Sequence, residues 1–270
     1  MANSFDNSHA DNAYVARYRE AGFCLFEQPI LPETLLANAV DRIEPVCRGE
    51  YDLGREPWRC WNLGDPYRIQ KVDQVHQCDS AFLALATSPV IGEIASELCG
   101  GARVQLWASQ LLIKPANSGA VGNVGWHTDR QNWPFWSGEL LTAWIPLSAT
   151  SSNNGALQFI PGSHHWSTAL EPGDPYEQSM ELLQQRYQSQ LEVAADWREV
   201  WREVPAELHR GGLSFHHWQT VHGSHANRSD QPRIALALHL RTETSAPLPG
   251  VNDFGLCQDL DNHSLCPYYR

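Results

Sequence analysis

The sequence predicts a mainly β protein with flanking helices, built as a double-stranded β-helix, or jelly roll. Three observations carry this. Beyond Arg103 the chain becomes a series of short apolar runs separated by turn signals such as Lys114-Pro115, Asn153-Asn154-Gly155 and Pro161-Gly162, which is the texture of a two-sheet barrel. Residues 233–241 alternate, with Arg233, Ala235, Ala237, His239 and Arg241 on one face and Ile234, Leu236, Leu238 and Leu240 on the other, as in a strand whose two faces meet different surroundings. The first hundred residues carry near-helical spacing instead, so helices are segregated from the strands along the chain.

In order, residues 13–21 read as a helix stopped by Gly22, and 23–26 as a short strand. Pro32 in a first turn, followed by Leu35, Leu36, Val40 and Ile43, predicts an amphipathic helix ending near Cys47. Residues 48–78 hold Gly54, Pro57, Gly64 and Pro66 among aromatic and charged residues without a period; a structureless loop at a pocket rim is the expectation. Residues 79–98 are helical, with a restart at Ser88-Pro89 and an end at Gly100-Gly101. Strands are expected at 103–113, 140–147, 156–160, 212–217 and 233–241. Helical spacing over 174–193, continuing to Trp201, marks an insert between strands. No repeat or linker divides the chain, so the expectation is one domain: a helical buttress and rim loop over 1–101, a barrel over 102–245 with a helical insert at 166–201, and a tail at 246–270.

Charge narrows the range of partners. With 19 Lys+Arg against 31 Asp+Glu the net charge is −12, and no basic cluster provides a footprint for nucleic acid or an anionic membrane. A small molecule, neutral or cationic rather than polyanionic, suits such a surface. The seven cysteines are odd in number, scattered and never in a C-x-x-C pair, which points to free thiols in a reducing compartment. The first residues are polar, and no uninterrupted apolar run reaches the ~18–20 residues of a membrane span. A cytoplasmic protein, monomeric or homodimeric, is expected.

The chemistry concentrates in Gly125-Trp126-His127-Thr128-Asp129 and in Thr220-Val221-His222-Gly223-Ser224. In an extended segment, residues i and i+2 share a face roughly 6.5–7 Å apart, so an imidazole and a carboxylate can lean onto one ion. His127 and Asp129 have that spacing, and His222 is the best candidate for a third ligand. Two histidines and a carboxylate form the facial triad of non-haem Fe(II) oxygenases, with positions left open for a cosubstrate and dioxygen. Arg233 follows His222 by eleven residues; its planar, permanently charged guanidinium is suited to anchor a carboxylate inside a barrel.

These residues belong to an ordered set: Leu112-Ile113-Lys114-Pro115, His127-Thr128-Asp129, Ala143-Trp144, Asn153-Asn154-Gly155, Pro161-Gly162-Ser163-His164, then His222-Gly223-Ser224 with Arg233. In that order they resemble the phytanoyl-CoA dioxygenase family of Fe(II)/2-oxoglutarate oxygenases, from about Tyr18 to about Arg241. The resemblance implies a cupin-like barrel in which His127, Asp129 and His222 bind Fe(II). It implies that Arg233 and Ser224 hold the far carboxylate of 2-oxoglutarate, with Lys114 and Trp144 lining the same pocket; Gln110, on the strand of Lys114, is an alternative contact. It implies use of O2, release of succinate and CO2, and oxidation of an unactivated C–H, with hydroxylation favoured because Asp129 stands where related halogenases carry a small residue.

Substrate contacts are expected from the segment after the triplet, Gln131 and Trp133, and from Trp218 near His222, which together offer apolar walls with polar handles. The other histidines (His164, His165, His216, His217, His225, His239) are assigned no metal, and His217 is expected beside the iron ligands. The alternatives are a cupin-type metalloenzyme that uses no 2-oxoglutarate, and a non-catalytic jelly roll binding a small ligand. A natural-product tailoring enzyme is the favoured role.

Overall fold

A computed structural model describes residues 13–166, 179–191 and 197–269, and its helical start lies where the spacing placed it. Helix α1 (Ala13–Ala21) ends at Gly22, whose φ of 84° only glycine adopts readily. Strand β1 (Phe23–Phe26) leads to α2 (Glu33–Cys47), which buries Leu36, Ala39 and Val46.

Segment 48–78 is not the structureless loop the sequence predicts. It holds β2 (Arg59–Trp61), β3 (Gln70–Asp73) and α3 (Val75–Cys78), and β3 pairs with both β2 and the strand β4 (Val104–Lys114). Strands of three or four residues are too short to show a period; the partner edge of β4 decides them. Next come α4 (Ser80–Ala86), capped by the Asp79 carboxylate on the amides of Ala81 and Phe82, and α5 (Pro89–Leu98). By length and hydropathy Ser80–Leu98 is apolar enough to cross a membrane. In the fold it breaks at Thr87-Ser88 and packs Phe82, Leu85, Ile91, Ala95 and Leu98 into the core.

After β4 the chain forms β5 (Val124–His127), α6 (Asp129–Asn132), β6 (Trp136–Ser137), β7 (Leu140–Pro146) and β8 (Gln158–Phe159). The predicted insert contains α7 (Met180–Gln190) and a separate short α8 (Trp197–Val200); within it, 167–178 and 192–196 lie outside the described residues, as does the polar start of the chain. Then follow β9 (Val204–Pro205), β10 (Leu213–His217), β11 (His222–Ser224), β12 (Arg233–Thr242) and β13 (Ala246–Pro247).

Among the described residues one sheet runs β1-β10-β7-β12-β4-β3-β2, a second β5-β11-β8-β9, and β13 pairs β6. Every pairing is antiparallel. The large sheet carries an apolar cluster on each face, and its inner face holds buried polar side chains as well. Its outer face carries Leu236, Leu238 and Leu240 of β12 into one cluster with Phe82, Leu85 and Ile91 of the helices. Its inner face joins Phe23, Trp144, Ala235 and Ala237 to Phe159 of the second sheet. Two sheets enclosing a shared interior make the jelly roll. The tail lies along the start of β4, where the Gln105 amide donates to the carbonyls of Leu260 and Cys266, at 2.8 and 2.7 Å. Leu256, Cys257 and Leu260 of the tail pack on a cluster of Trp107, Phe135, Trp136 and Trp218.

Candidate metal centre

Strand pairing sets His222 directly opposite His127. The approach of β11 to β5 depends on Gly223: a Cβ there would lie 2.9 Å from the Val124 carbonyl, 3.1 Å from the Trp126 ring and 3.2 Å from Met180. Asp129 reaches the same point by a different route from the single extended segment predicted. β5 ends at His127, and Thr128 then caps α6 with a capping box, its amide donating to Gln131 Oε1 at 2.8 Å. The cap turns the chain at Thr128, so Asp129 sits in the first position of a helical turn. One donor atom from each of His127, Asp129 and His222 lies within 4.8 Å of the other two.

Each imidazole is oriented by its own strand. His127 Nδ1 lies 2.7 Å from the Gly125 carbonyl and His222 Nδ1 2.9 Å from the Thr220 carbonyl; since carbonyls only accept, both Nδ1 atoms carry the proton and both Nε2 lone pairs are free. Burial lowers the pKa of both rings, most strongly at His222, where His127 and His216 add to it and Asp129 opposes. Neutral imidazoles are the form a metal needs.

The Asp129 carboxylate is divided between two tasks. Oδ2 accepts from Thr142 Oγ1 at 2.6 Å and from His216 Nε2 at 3.2 Å, while Oδ1 lies 3.7 Å from His222 Nε2. Burial pushes this carboxyl's pKa up, but the His216 hydrogen bond and the neighbouring His222, His216 and His239 outweigh it and hold the group below the carboxylate range. Thr142 Oγ1 also lies 3.0 Å from His239 Nδ1; His239 Nε2 lies 3.4 Å from Gln110 Oε1, and Gln110 Nε2 donates to Asp73 at 2.7 Å. Asp73 accepts from the Trp61 indole as well, at 2.6 Å. The network thus runs from the metal site to the rim strands.

His216 therefore takes the place expected of His217. On β10 the period of two turns Ser214 and His216 inward, while His217 Nδ1 accepts from the Gln219 amide and its ring sits 5.6 Å from His164. Thr142 and His239 were not singled out from sequence as neighbours of the ligands; inward alternation on β12 was the available signal for His239.

The second half of the site is cationic. Arg233 is 1% exposed, its guanidinium lies 5.3 Å from the Trp144 ring centroid, and its Nε and Nη1 have no hydrogen-bond partner among the described residues; neither has Trp144 Nε1. Burial lowers the Arg233 pKa to about 10, which leaves it charged at neutral pH. Lys114 is directly opposite Arg233 in the register. Its Nζ donates to Ser224 O at 3.2 Å, Ser224 Oγ at 2.7 Å and His225 O at 2.5 Å, so its three hydrogens are all committed. Burial, and then Arg233, depress the Lys114 pKa strongly. Ser224 Oγ accepts from Lys114, which leaves its own proton free to donate. The chain has only two lysines. The other, Lys71, missed from sequence, shares the inward face of β3 with Asp73, lies 5.2 Å from the Trp61 ring and contributes to lowering His127 and His239.

Of the residues expected to meet substrate, Trp133 packs edge-on against His239 (ring centroids 4.2 Å apart) and Trp107 (5.1 Å). Gln131 Oε1 serves the α6 cap, with Tyr187 Oη at 3.5 Å. Trp218 is buried and lies 5.6 Å from the Arg130 guanidinium.

The family model described as Phytanoyl-CoA dioxygenase (PhyH) matches residues 18–235. The chain is 28% identical over 190 residues to a probable alpha-ketoglutarate-dependent hypophosphite dioxygenase of Stutzerimonas stutzeri, across 69% of this chain and 62% of that protein. It is 27% identical over 233 residues to the peroxisomal phytanoyl-CoA dioxygenase of Homo sapiens, across 82% of this chain and 65% of that one. It thus spans less than two thirds of the length of either relative. Among solved structures, SnoK, a non-heme alpha ketoglutarate dependent carbocyclase from nogalamycin biosynthesis, matches with a TM-score of 0.68 and 26% identity over 94% of this chain and 91% of that one. The epimerase SnoN from nogalamycin biosynthesis shares the fold, with a TM-score of 0.67 and 22% identity over 89% of this chain and 86% of that one.

Proposed function

Because the chain belongs to the phytanoyl-CoA dioxygenase family, we propose that it is a non-haem Fe(II) oxygenase that uses 2-oxoglutarate and O2 to oxidise an unactivated C–H of a small metabolite, as a tailoring step in biosynthesis. The observation that carries this reading is the pairing, in one barrel, of a facial donor set with a buried arginine whose Nε and Nη1 lack partners among the described residues. Two neutral imidazole Nε2 atoms and one carboxylate oxygen suit Fe(II) and leave one face of the ion open. An unpartnered buried guanidinium carries a desolvation cost that a carboxylate of the cosubstrate would offset.

In this reading His127, Asp129 and His222 hold the iron. Arg233 receives the far carboxylate of 2-oxoglutarate, with further donors from Trp144 Nε1 and Ser224 Oγ. Lys114 acts by fixing Ser224, because its own hydrogens are occupied. Lys71 places a second cation toward the metal end of the cosubstrate. These cations match the two carboxylates of 2-oxoglutarate, so the substrate is left to be neutral or cationic, in keeping with the acidic surface. The iron these three residues would hold would, with 2-oxoglutarate, supply oxidising power from O2, with succinate and CO2 as coproducts. Trp133, and behind it Trp107, wall the chamber against water. Gln131, whose oxygen serves the α6 cap, would offer its amide nitrogen to a substrate, and Trp218 backs the same wall.

Anaerobic addition of Fe(II) and then 2-oxoglutarate tests this before any substrate is known. A weak visible charge-transfer band is expected, absent in His222→Ala and displaced to much higher 2-oxoglutarate concentration in Arg233→Ala. Iron binding without a band would instead favour a cupin-type metalloenzyme that uses no 2-oxo acid.

A further inference from the structure

The neighbours of His239, the inner histidine of β12, fix its protons, and the role of that ring rests on the function proposed above. The Asp129 carboxylate can only accept, so the single proton of Thr142 Oγ1, 2.6 Å from Oδ2, belongs to that bond. The contact between Thr142 Oγ1 and His239 Nδ1 at 3.0 Å must then be donated by the ring. Nδ1 carries the proton, and Nε2 of the neutral imidazole is a bare lone pair.

The other end of the network is fixed in the same way. Asp73 can only accept, so the Gln110 amide turns its nitrogen to Asp73, at 2.7 Å, and its oxygen to His239 Nε2, at 3.4 Å. Two acceptors therefore face one another, with no hydrogen between them. His239 is 4% exposed, on the strand face that carries Arg233, and burial, opposed by Asp129, keeps its ring neutral, with a pKa of about 4. Such a pair repels unless a donor enters.

We propose that His239 Nε2 and Gln110 Oε1 form an acceptor pair that recognises a hydrogen-bond donor on the substrate, an alcohol O–H or an amine N–H, and so selects hydroxylated or amino-bearing metabolites. A site with committed acceptors discriminates strongly against an analogue that lacks the donor, because the buried acceptors are then left unpaired. The edge of Trp133, packed against His239, holds the ring that presents Nε2. Thr142 acts through His239 and is a positioning residue here.

The test reads the ring directly. Holoprotein labelled with 15N-histidine is loaded with Zn(II), which is redox-inert, and with 2-oxoglutarate; the His239 signals are assigned by their loss in His239→Gln. The expected spectrum shows Nδ1 protonated and Nε2 bare. Methanol should move the Nε2 resonance toward the hydrogen-bonded position and dimethyl ether should not; Gln110→Leu should weaken the methanol response several-fold. Thr142→Val should transfer the ring proton to Nε2 and remove the response, and Thr142→Ser should restore both. A protonated Nε2 in the wild-type protein, no response to methanol, an equal response to both probes or an unchanged response in Gln110→Leu would each overturn the pair. The Fe(II)/2-oxoglutarate band is unaffected by such a failure, so the two readings fail separately.

Discussion

Thr142 Oγ1 stands 2.6 Å from Asp129 Oδ2, on the oxygen that His216 also approaches at 3.2 Å, and away from Oδ1, which faces His222. One hydroxyl thus decides which oxygen of the carboxylate is left for a metal. Partners of this kind typically contribute 10–100-fold to metal affinity. Thr142→Val, which keeps the shape and removes the donor, should weaken Fe(II) binding by about that factor, and Thr142→Ser should leave it within a few-fold of wild type. Anaerobic metal titration is the measurement; equal affinity in the valine variant would contradict the assignment.

Arg233 should show opposite effects on stability and on cosubstrate use. A buried cation with unpartnered donors destabilises the empty fold, and apolar replacements of buried charges often stabilise by about 1–4 kcal/mol. Arg233→Met should therefore raise the unfolding midpoint of the apoprotein. The same variant loses the anchor, at a cost of roughly 2–5 kcal/mol, so its apparent 2-oxoglutarate requirement should rise at least about thirtyfold. Thermal denaturation with and without 2-oxoglutarate separates the two effects.

Gly223 is a packing requirement of the metal centre. Since a Cβ would lie 2.9 Å from the Val124 carbonyl, Gly223→Ala must push β11 off β5, the pairing that sets His222 against His127. Loss of tight Fe(II) binding with a largely intact circular dichroism spectrum is expected, with destabilisation of about 1–3 kcal/mol. Undiminished iron affinity would show that the strands can part without separating the ligands.

Acid should loosen the far end of the chain through His76. Its Nε2 donates to the Leu265 carbonyl at 2.8 Å and its Nδ1 meets Ser109 Oγ at 2.6 Å. Burial, with a smaller contribution from Arg55 and opposition from the Leu265 bond, lowers its pKa from 6.5 to about 4. Between those values the unfolded chain binds a proton that the folded chain refuses, so stability is full above 6.5 and falls as the pH drops through the window, by on the order of 3 kcal/mol. His217 and His239 are lowered by burial to about 3 and about 4 and act in the same direction. Urea unfolding of the apoprotein at about pH 7 and about pH 4.5 should show a smaller loss in His76→Gln than in wild type; identical losses would remove His76 from the account.

Periodic and punctuated stretches were the legible part of the fold. Helix α1 and strand β1 lie at the predicted residues, and β12 exceeds its predicted length by one residue. The strands β2 and β3 were not legible, since a three- or four-residue strand is made by the edge it joins rather than by its own pattern. Of the candidate site, His127, Asp129, His222 and Arg233 stood out because chemistry restricts their residue types and spacing. His216, Thr142 and Lys71 carry no such mark; their roles depend on which side chains the sheet turns inward.

What the sequence determined by itself was the residue chemistry: two imidazoles and a carboxylate for a metal, an arginine for an anion, and an alternation that commits β12 to one apolar and one functional face. Those are properties of residue type and of the two-residue period, and both exist before folding. The tertiary structure alone decided the direction of each proton and lone pair. That Thr142 takes one oxygen of Asp129, that Lys114 uses its three hydrogens on Ser224 and His225, and that His239 and Gln110 meet acceptor to acceptor are consequences of strands far apart in sequence. Hydrogen bonds act over about 3 Å, a scale that only strand register and the packing of one sheet on the other can set.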